Sequence, residues 1–151
     1  QPFGQRRMVL WGRNRTVRFS ERAKWVAEPG AMIAEGIRRD LSQSGLFPCV
    51  REGVGGSGAG LELSGRILRF VAEPCASGYR ALLGVTVRLE RRGAVEEKPL
   101  FQKSYSLQSG CFPAKDAARF AEAMSRLVSE FSIGLRGDLC RTAREELSAG
   151  K

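Results

Sequence analysis

The sequence contains no histidine, and that absence removes several chemistries at once. A Ser-His-Asp or Cys-His pair cannot form without an imidazole. Mixed Cys/His zinc sites are excluded as well, and no two of the four cysteines, Cys49, Cys75, Cys111 and Cys140, stand at C-x-x-C spacing. No Gly-x-Ser-x-Gly elbow occurs. Glu28 is followed at once by Pro29 and has no acid partner near it, while Asp40, Asp116 and Asp138 fall at helical positions expected to face solvent. The chain is therefore expected to be non-enzymatic, with no catalytic residue, no cofactor and no metal. No apolar run approaches the roughly 18 residues that a membrane-spanning helix needs. The opening residues, Gln1-Pro2-Phe3-Gly4-Gln5-Arg6-Arg7, hold neither the apolar region nor the cleavage site of a signal peptide. Either the protein is cytoplasmic or a leader has been removed, and the absence of Met at position 1 favours removal.

What is present fits one folded domain over residues 1–151, with 42% apolar and 27% charged residues. Lys and Arg total 25 against 16 Asp and Glu, a formal charge of +9. Such a balance suits nucleic acid or an anionic membrane surface as partner. The basic residues are scattered, however: Arg6-Arg7, Arg38-Arg39 and Arg91-Arg92 are pairs, and Arg13, Arg15 and Arg18 are the densest cluster. Diffuse surface charge is the preferred reading, and nucleic acid is not an expected partner.

Hydrophobic periodicity orders the elements. Met8-Val9-Leu10-Trp11 and Thr16-Val17-Arg18-Phe19, around Gly12-Arg13-Asn14, predict a hairpin, followed by a polar stretch that ends in Trp25. Pro29 predicts the first position of a helix whose apolar face is Ile33, Ile37 and Leu41, with Ala34 beside them, and Gly45 its left-handed cap. Leu46-Phe47-Pro48-Cys49-Val50 reads as a strand. A glycine-rich loop occupies 53–60. Three strands follow, over 61–71, over the strict alternation Leu83, Val85, Val87, Leu89, and over 100–107, as a meander. Ala117, Phe120, Ala121, Met124, Leu127, Val128, Phe131, Leu135 and Leu139 trace one face of a final helix spanning about 114–140. Gly134 and Gly137 are placed to bend or fray its last turns, and 142–151 reads as a polar, partly ordered tail. The order β-β-α-β-β-β-β-α predicts an α+β two-layer sandwich, a mainly antiparallel sheet with both amphipathic helices on one face.

Two features that invite a site are better explained by structure. Gly53-Val54-Gly55-Gly56-Ser57-Gly58 fits G-x-G-x-x-G, but phosphate binding needs a helix to open after the last glycine, and here the strand at Leu61 follows. A G-x-x-G nucleic-acid clamp would join two helices and carry basic residues, and this run does neither. Phe70, Phe101 and Tyr105 stand on strands as in an RNA-recognition sheet, without its accompanying octapeptide, so core packing accounts for them better.

The cysteines have a topological reading. A final helix would hold Cys111 and Cys140 roughly 40 Å apart at 1.5 Å per residue, too far to bridge. The strands before Cys75 and before Cys111 end at the same edge of the sheet, which points to a Cys75–Cys111 disulfide. Cys49, just after the first helix, is the competing partner.

The segment Val17-Arg18-Phe19 … Lys24-Trp25-Val26-Ala27-Glu28-Pro29 … Ile33 … Ile37 … Leu41 … Ser44-Gly45-Leu46-Phe47 resembles the ABC-type transport auxiliary lipoprotein family, in which a hairpin leads through a Trp-Ala-Glu-Pro-like turn into an amphipathic helix with a Ser-Gly-Leu-Phe-like exit. Val26 stands between Trp25 and Ala27 where the family pattern has no residue, and the cysteines are not part of that pattern. The likeness is strongest over 8–50 and continues through Leu61-Glu62-Leu63-Ser64-Gly65-Arg66-Ile67 to the last helix. The resemblance implies a periplasmic domain anchored to the outer membrane by an N-terminal lipid on a cysteine upstream of Gln1. It implies partners in an MCE-domain protein and an ABC transporter, in moving lipid between the envelope membranes, and a homo-oligomeric state. Trp25, Ala27, Glu28 and Pro29 are then the family motif and a candidate interface, although Trp25 is better explained as a staple beneath the helix. The competing readings are another outer-membrane assembly lipoprotein, of the LPS-assembly or penicillin-binding-protein-activating type, and a basic nucleic-acid-binding α+β domain.

Overall fold

The computed structural model describes residues 5–12, 14, 16–47, 49–51, 60–92, 98–113 and 116–149. Its elements are β1 (Arg7–Trp11), β2 (Val17–Lys24), α1 (Pro29–Ser44), β3 (Leu61–Cys75), β4 (Gly78–Arg91), β5 (Phe101–Gln108) and α2 (Ala117–Ala149). The fold is α+β, with five strands in the order β2-β1-β3-β4-β5. All neighbouring pairs are antiparallel except β1 with β3, where Val9 pairs with Val71 and Leu10 with Ala72.

Both helices pack on one face. Alternation on β4 turns Ala81, Leu83, Val85, Val87 and Leu89 toward them, and Met8, Phe70 and Ala72 join from β1 and β3. The helices contribute Ile33, Leu41, Phe120, Met124, Leu127, Phe131, Leu135 and Leu139, all buried, as their periodicity predicts. Ile37 is partly buried, whereas Ala34 is exposed and Met32 takes the place beside the core. Gly45 closes α1 at φ 72°, a conformation that glycine adopts without a Cβ clash.

The elements differ from their sequence signals in several places. There is no strand at 46, 47, 49 and 50; Phe47 and Val50 pack singly against the core, and Pro48 has no N–H to give a ladder. Among the described residues the sheet therefore has one strand fewer than predicted. The polar run after Phe19 is strand as far as Lys24, since charged residues are tolerated on an edge. β3 and β4 run longer than the hydrophobic pattern, to the turn between Cys75 and Gly78. The polar residues from 142 onward continue α2 to Ala149, and the helix is unbroken past Gly134 and Gly137. Arg141 pairs with Asp138, and Thr142 Oγ1 donates to the Asp138 carbonyl, which holds these turns together. Of the glycine-rich loop at 53–60 only Gly60 lies among the described residues; Arg13 and Arg15 also lie outside them.

Candidate functional site

The turn from Trp25 to Pro29 is built around a buried indole. Trp25 is 7% exposed and meets Phe70 and Phe120 edge-to-face at centroid distances of 5.2 and 5.3 Å. Its backbone N–H donates to the Arg6 carbonyl at 2.6 Å, and Arg6 Nε donates back to the Trp25 carbonyl at 3.1 Å. Val26, the residue that interrupts the family-like pattern, is 90% exposed, so the extra residue is taken up outward and the ring keeps its seat. Glu28 is the N-cap of α1, but its side chain makes no capping hydrogen bond, and Pro29 is buried at the first helical position. The four motif residues thus lie together in sequence and in space while doing different things. Trp25 and Pro29 fix the start of α1; Ala27 is half-buried and Glu28 exposed.

The sulfurs of Cys75 and Cys111 are bonded, with Cα atoms 6.3 Å apart. The bridge joins the β3–β4 turn to the segment leading into α2, beside an isolated bridge between Tyr79 and Phe112 with backbone hydrogen bonds of 2.9 and 2.7 Å. Cys49 is exposed and free, and Cys140 is free on α2.

Of the three aspartates expected to face solvent, Asp116 does, whereas Asp40 is half-buried and Asp138 buried. Asp116 caps α2 by accepting from the N–H groups of Ala118 and Arg119. Asp40 accepts a hydrogen bond from Ser132, tying α1 to α2. Asp138 is 7% exposed and accepts from Lys103 Nζ at 2.8 Å, Tyr105 Oη at 2.6 Å and Arg141 at 2.9 Å. The Lys103 hydrogen bond, then that of Tyr105, holds the Asp138 carboxyl below its ordinary value against the effect of burial. Burial, and next the hydrogen bond to Asp138, pushes the Tyr105 hydroxyl well above its ordinary value, so it remains a donor. With Lys103 and Tyr105 on one oxygen and Arg141 on the other, this carboxylate joins β5 to α2.

Among the described residues no group of three or more His, Cys, Asp or Glu side chains could hold a metal ion. Phe70 and Tyr105 face the helices, Tyr105 meeting Phe131 at 5.0 Å, and are not presented to solvent as nucleic-acid stacking platforms. Among the described residues no helix is long and apolar enough to cross a membrane.

The opposite face of the sheet has no described element across it. Because paired residues share a face, the register sets out its rows. Arg66, Thr86 and Ser104 form one, Arg69, Gly84 and Ser106 the next, then Val71, Leu82 and Gln108, and then Glu73 with Arg80. Val9 and Trp11 of β1 complete a small apolar cluster with Val71 and Leu82. Between the Arg69 row and a wall of Trp11 with the Glu73–Arg80 ion pair lies a groove of about 440 Å³, whose lining includes Leu82, Ser106 and Gln108. Sequence reasoning missed this face. Its only signal was the run of small and polar residues alternating with the core positions of β4 and β5.

No family model and no curated protein matches the chain. Among solved structures, it is similar to the crystal structure of protein XCC0632 from Xanthomonas campestris, described as of the family DUF330. The TM-score is 0.83 at 14% identity, over 97% of this chain and 81% of that one. At that identity the likeness is one of fold, and it extends over nearly the whole chain.

Proposed function

We propose that the chain is the folded domain of an auxiliary lipoprotein serving an ABC-type, MCE-associated lipid-transport system in the bacterial envelope, anchored to the outer membrane and facing the periplasm. Its role is structural and adaptor-like rather than catalytic, with the MCE-domain protein and the transporter as partners and a homo-oligomer as the working form. The observation that carries this reading is the Trp25–Pro29 turn. The residues that resemble the family hallmark are the ones that seat α1, with Trp25 buried and Val26 displaced outward. The Cys75–Cys111 bridge suits an oxidising compartment such as the periplasm. Trp25 being buried, its part in the motif is architectural, and partner contacts fall to the exposed Val26 and Glu28 beside it.

The test is to express the full-length gene in its own host, label with palmitate and fractionate the envelope. Labelled protein in the outer-membrane fraction, co-purifying with the MCE protein, is expected. Unlabelled protein in the cytosol would end the proposal.

A further inference from the structure

The first half of β3 is an open sheet edge. β1 pairs with β3 only at Val71 and Ala72, so over 61–67 no strand lies on the side away from β4 among the described residues. Half of the backbone N–H and C=O groups of this stretch point to that side. The stretch contains neither proline nor lysine, keeps regular register with β4, and carries exposed leucines at its two ends, Leu61 and Leu68. A helix runs above it. The two helices point the same way, since Trp25, just ahead of α1, meets Phe120 near the start of α2, and Asp40 meets Ser132 further along both. α2 follows β4, from Phe112 beside Tyr79 at one end to the Glu146–Arg91 ion pair at the other. α1 therefore runs back along β3 toward Leu61 from Ile67, whose Cδ1 would lie 4.0 Å from a Cβ on Gly30. On the face beneath α1, Leu63 and Ile67 are partly buried, and Gly65 between them leaves a notch where a Cβ would meet nothing closer than 3.5 Å. On the other face Arg66 is exposed, with no ion pair or side-chain hydrogen bond among the described residues.

We propose that this edge takes up an extended segment of a partner protein as an added strand beneath α1, with an apolar side chain opposite Gly65 and an acidic one opposite Arg66. Main-chain hydrogen bonds supply the affinity of such an addition, and the side-chain seats supply its selectivity. Opposed residues of paired strands share a face, so the apolar side chain enters the notch between Leu63 and Ile67. The next residue of the segment turns to the other face and meets the Arg66 guanidinium. A second copy of this chain does not fit the same edge. Two β3 strands paired about a twofold axis would lie about 4.8 Å apart, whereas the α1 helices above them need about 8–10 Å. The site stands on this edge alone, so it and the transport reading succeed or fail separately.

The test is NMR titration of the full 151-residue chain with a capped decapeptide that alternates valine and glutamate. Saturable shifts and slowed hydrogen exchange are expected at the amides of Leu63, Gly65 and Ile67. The same peptide with its backbone N-methylated should bind at least tenfold more weakly. Gly65→Val fills the notch with a residue suited to a strand, so it should lower the affinity at least tenfold without lowering the melting temperature. Arg66→Gln, at an exposed position, should weaken the glutamate peptide at least threefold and leave a valine–threonine peptide unchanged. Equal binding of the N-methylated peptide overturns the proposal, as does unchanged affinity in Gly65→Val. An Arg66→Gln variant that binds the glutamate peptide as the parent does overturns the acidic preference, and shifts confined to β2 or β5 overturn the choice of edge. A dimer in light scattering that the peptide dissociates would assign the edge to a second copy and overturn the partner segment.

Discussion

Asp138 illustrates how a single residue in this chain changes meaning between sequence and structure. On a helical wheel it falls on the apolar face, seven residues after Phe131 and three after Leu135, and Lys103 and Tyr105 on the neighbouring strand supply the partners that its burial there requires. Its folded carboxyl titrates below the unfolded one, so its stabilisation is fully present above the unfolded value of about 3.9 and is lost as pH falls through the lower, folded value. Asp138→Asn should therefore cost about 1–3 kcal/mol at neutral pH, as expected for lost hydrogen bonds to a charged acceptor. The gap between parent and variant should narrow below about pH 4. Denaturant melts of both proteins across the acid range measure this directly, and a gap independent of pH would show that the carboxylate charge is not what matters. Trp25 is the converse case. Its hydrophobicity and its position before Pro29 already indicate a staple, and the structure supplies the rings it packs on.

At the scale of elements, a glycine inside one helix and a glycine capping the other respond oppositely to the same change. Gly137 lies within α2 with nothing within 4 Å of where a Cβ would project, so Gly137→Ala should stabilise the protein by about 0.5–1 kcal/mol. Gly45 also has open space around it, but its φ of 72° strains any residue with a Cβ, so Gly45→Ala should destabilise by about 1 kcal/mol. Chemical denaturation of the two variants side by side checks both signs. Both helices were legible in the sequence because Ile33, Leu41 and the run from Phe120 to Leu139 keep a helical period over several turns. β4 was legible because its alternation is strict. The strand content of 20–24 was not, since an edge strand buries little and its charges resemble those of a loop. The last turns of α2 were obscured for a similar reason: local pairs such as Arg141 with Asp138, rather than an apolar face, support them.

For the whole molecule, the disulfide fastens the end of the meander to the start of α2. It closes a sequence separation of 36 residues, and replacing Cys75 and Cys111 by Ser should cost about 2–4 kcal/mol. Melting of the Ser variant against the parent, with mass mapping of an unreduced digest to show the Cys75–Cys111 peptide, tests this; equal stability would mean that the bridge constrains nothing. The pairing could be read from topology because both cysteines follow strands ending at one sheet edge. The open-face groove could not, because its rows exist only once β3, β4 and β5 are in register and the bulge between Ile67 and Arg69 has reset which residues face outward. The parallel pairing of β1 with β3 bears on how the chain acquires its shape. β1 has one neighbour close in sequence, β2, and another that lies beyond α1 and the 53–60 run. Closing that long loop is the costly step of assembly. During synthesis Met8, Trp25 and the apolar side of α1 leave the ribosome before Phe70, Leu83 and Phe120, the surfaces that will cover them, have been made. The half of the protein that is translated first is thus the half that must wait to fold.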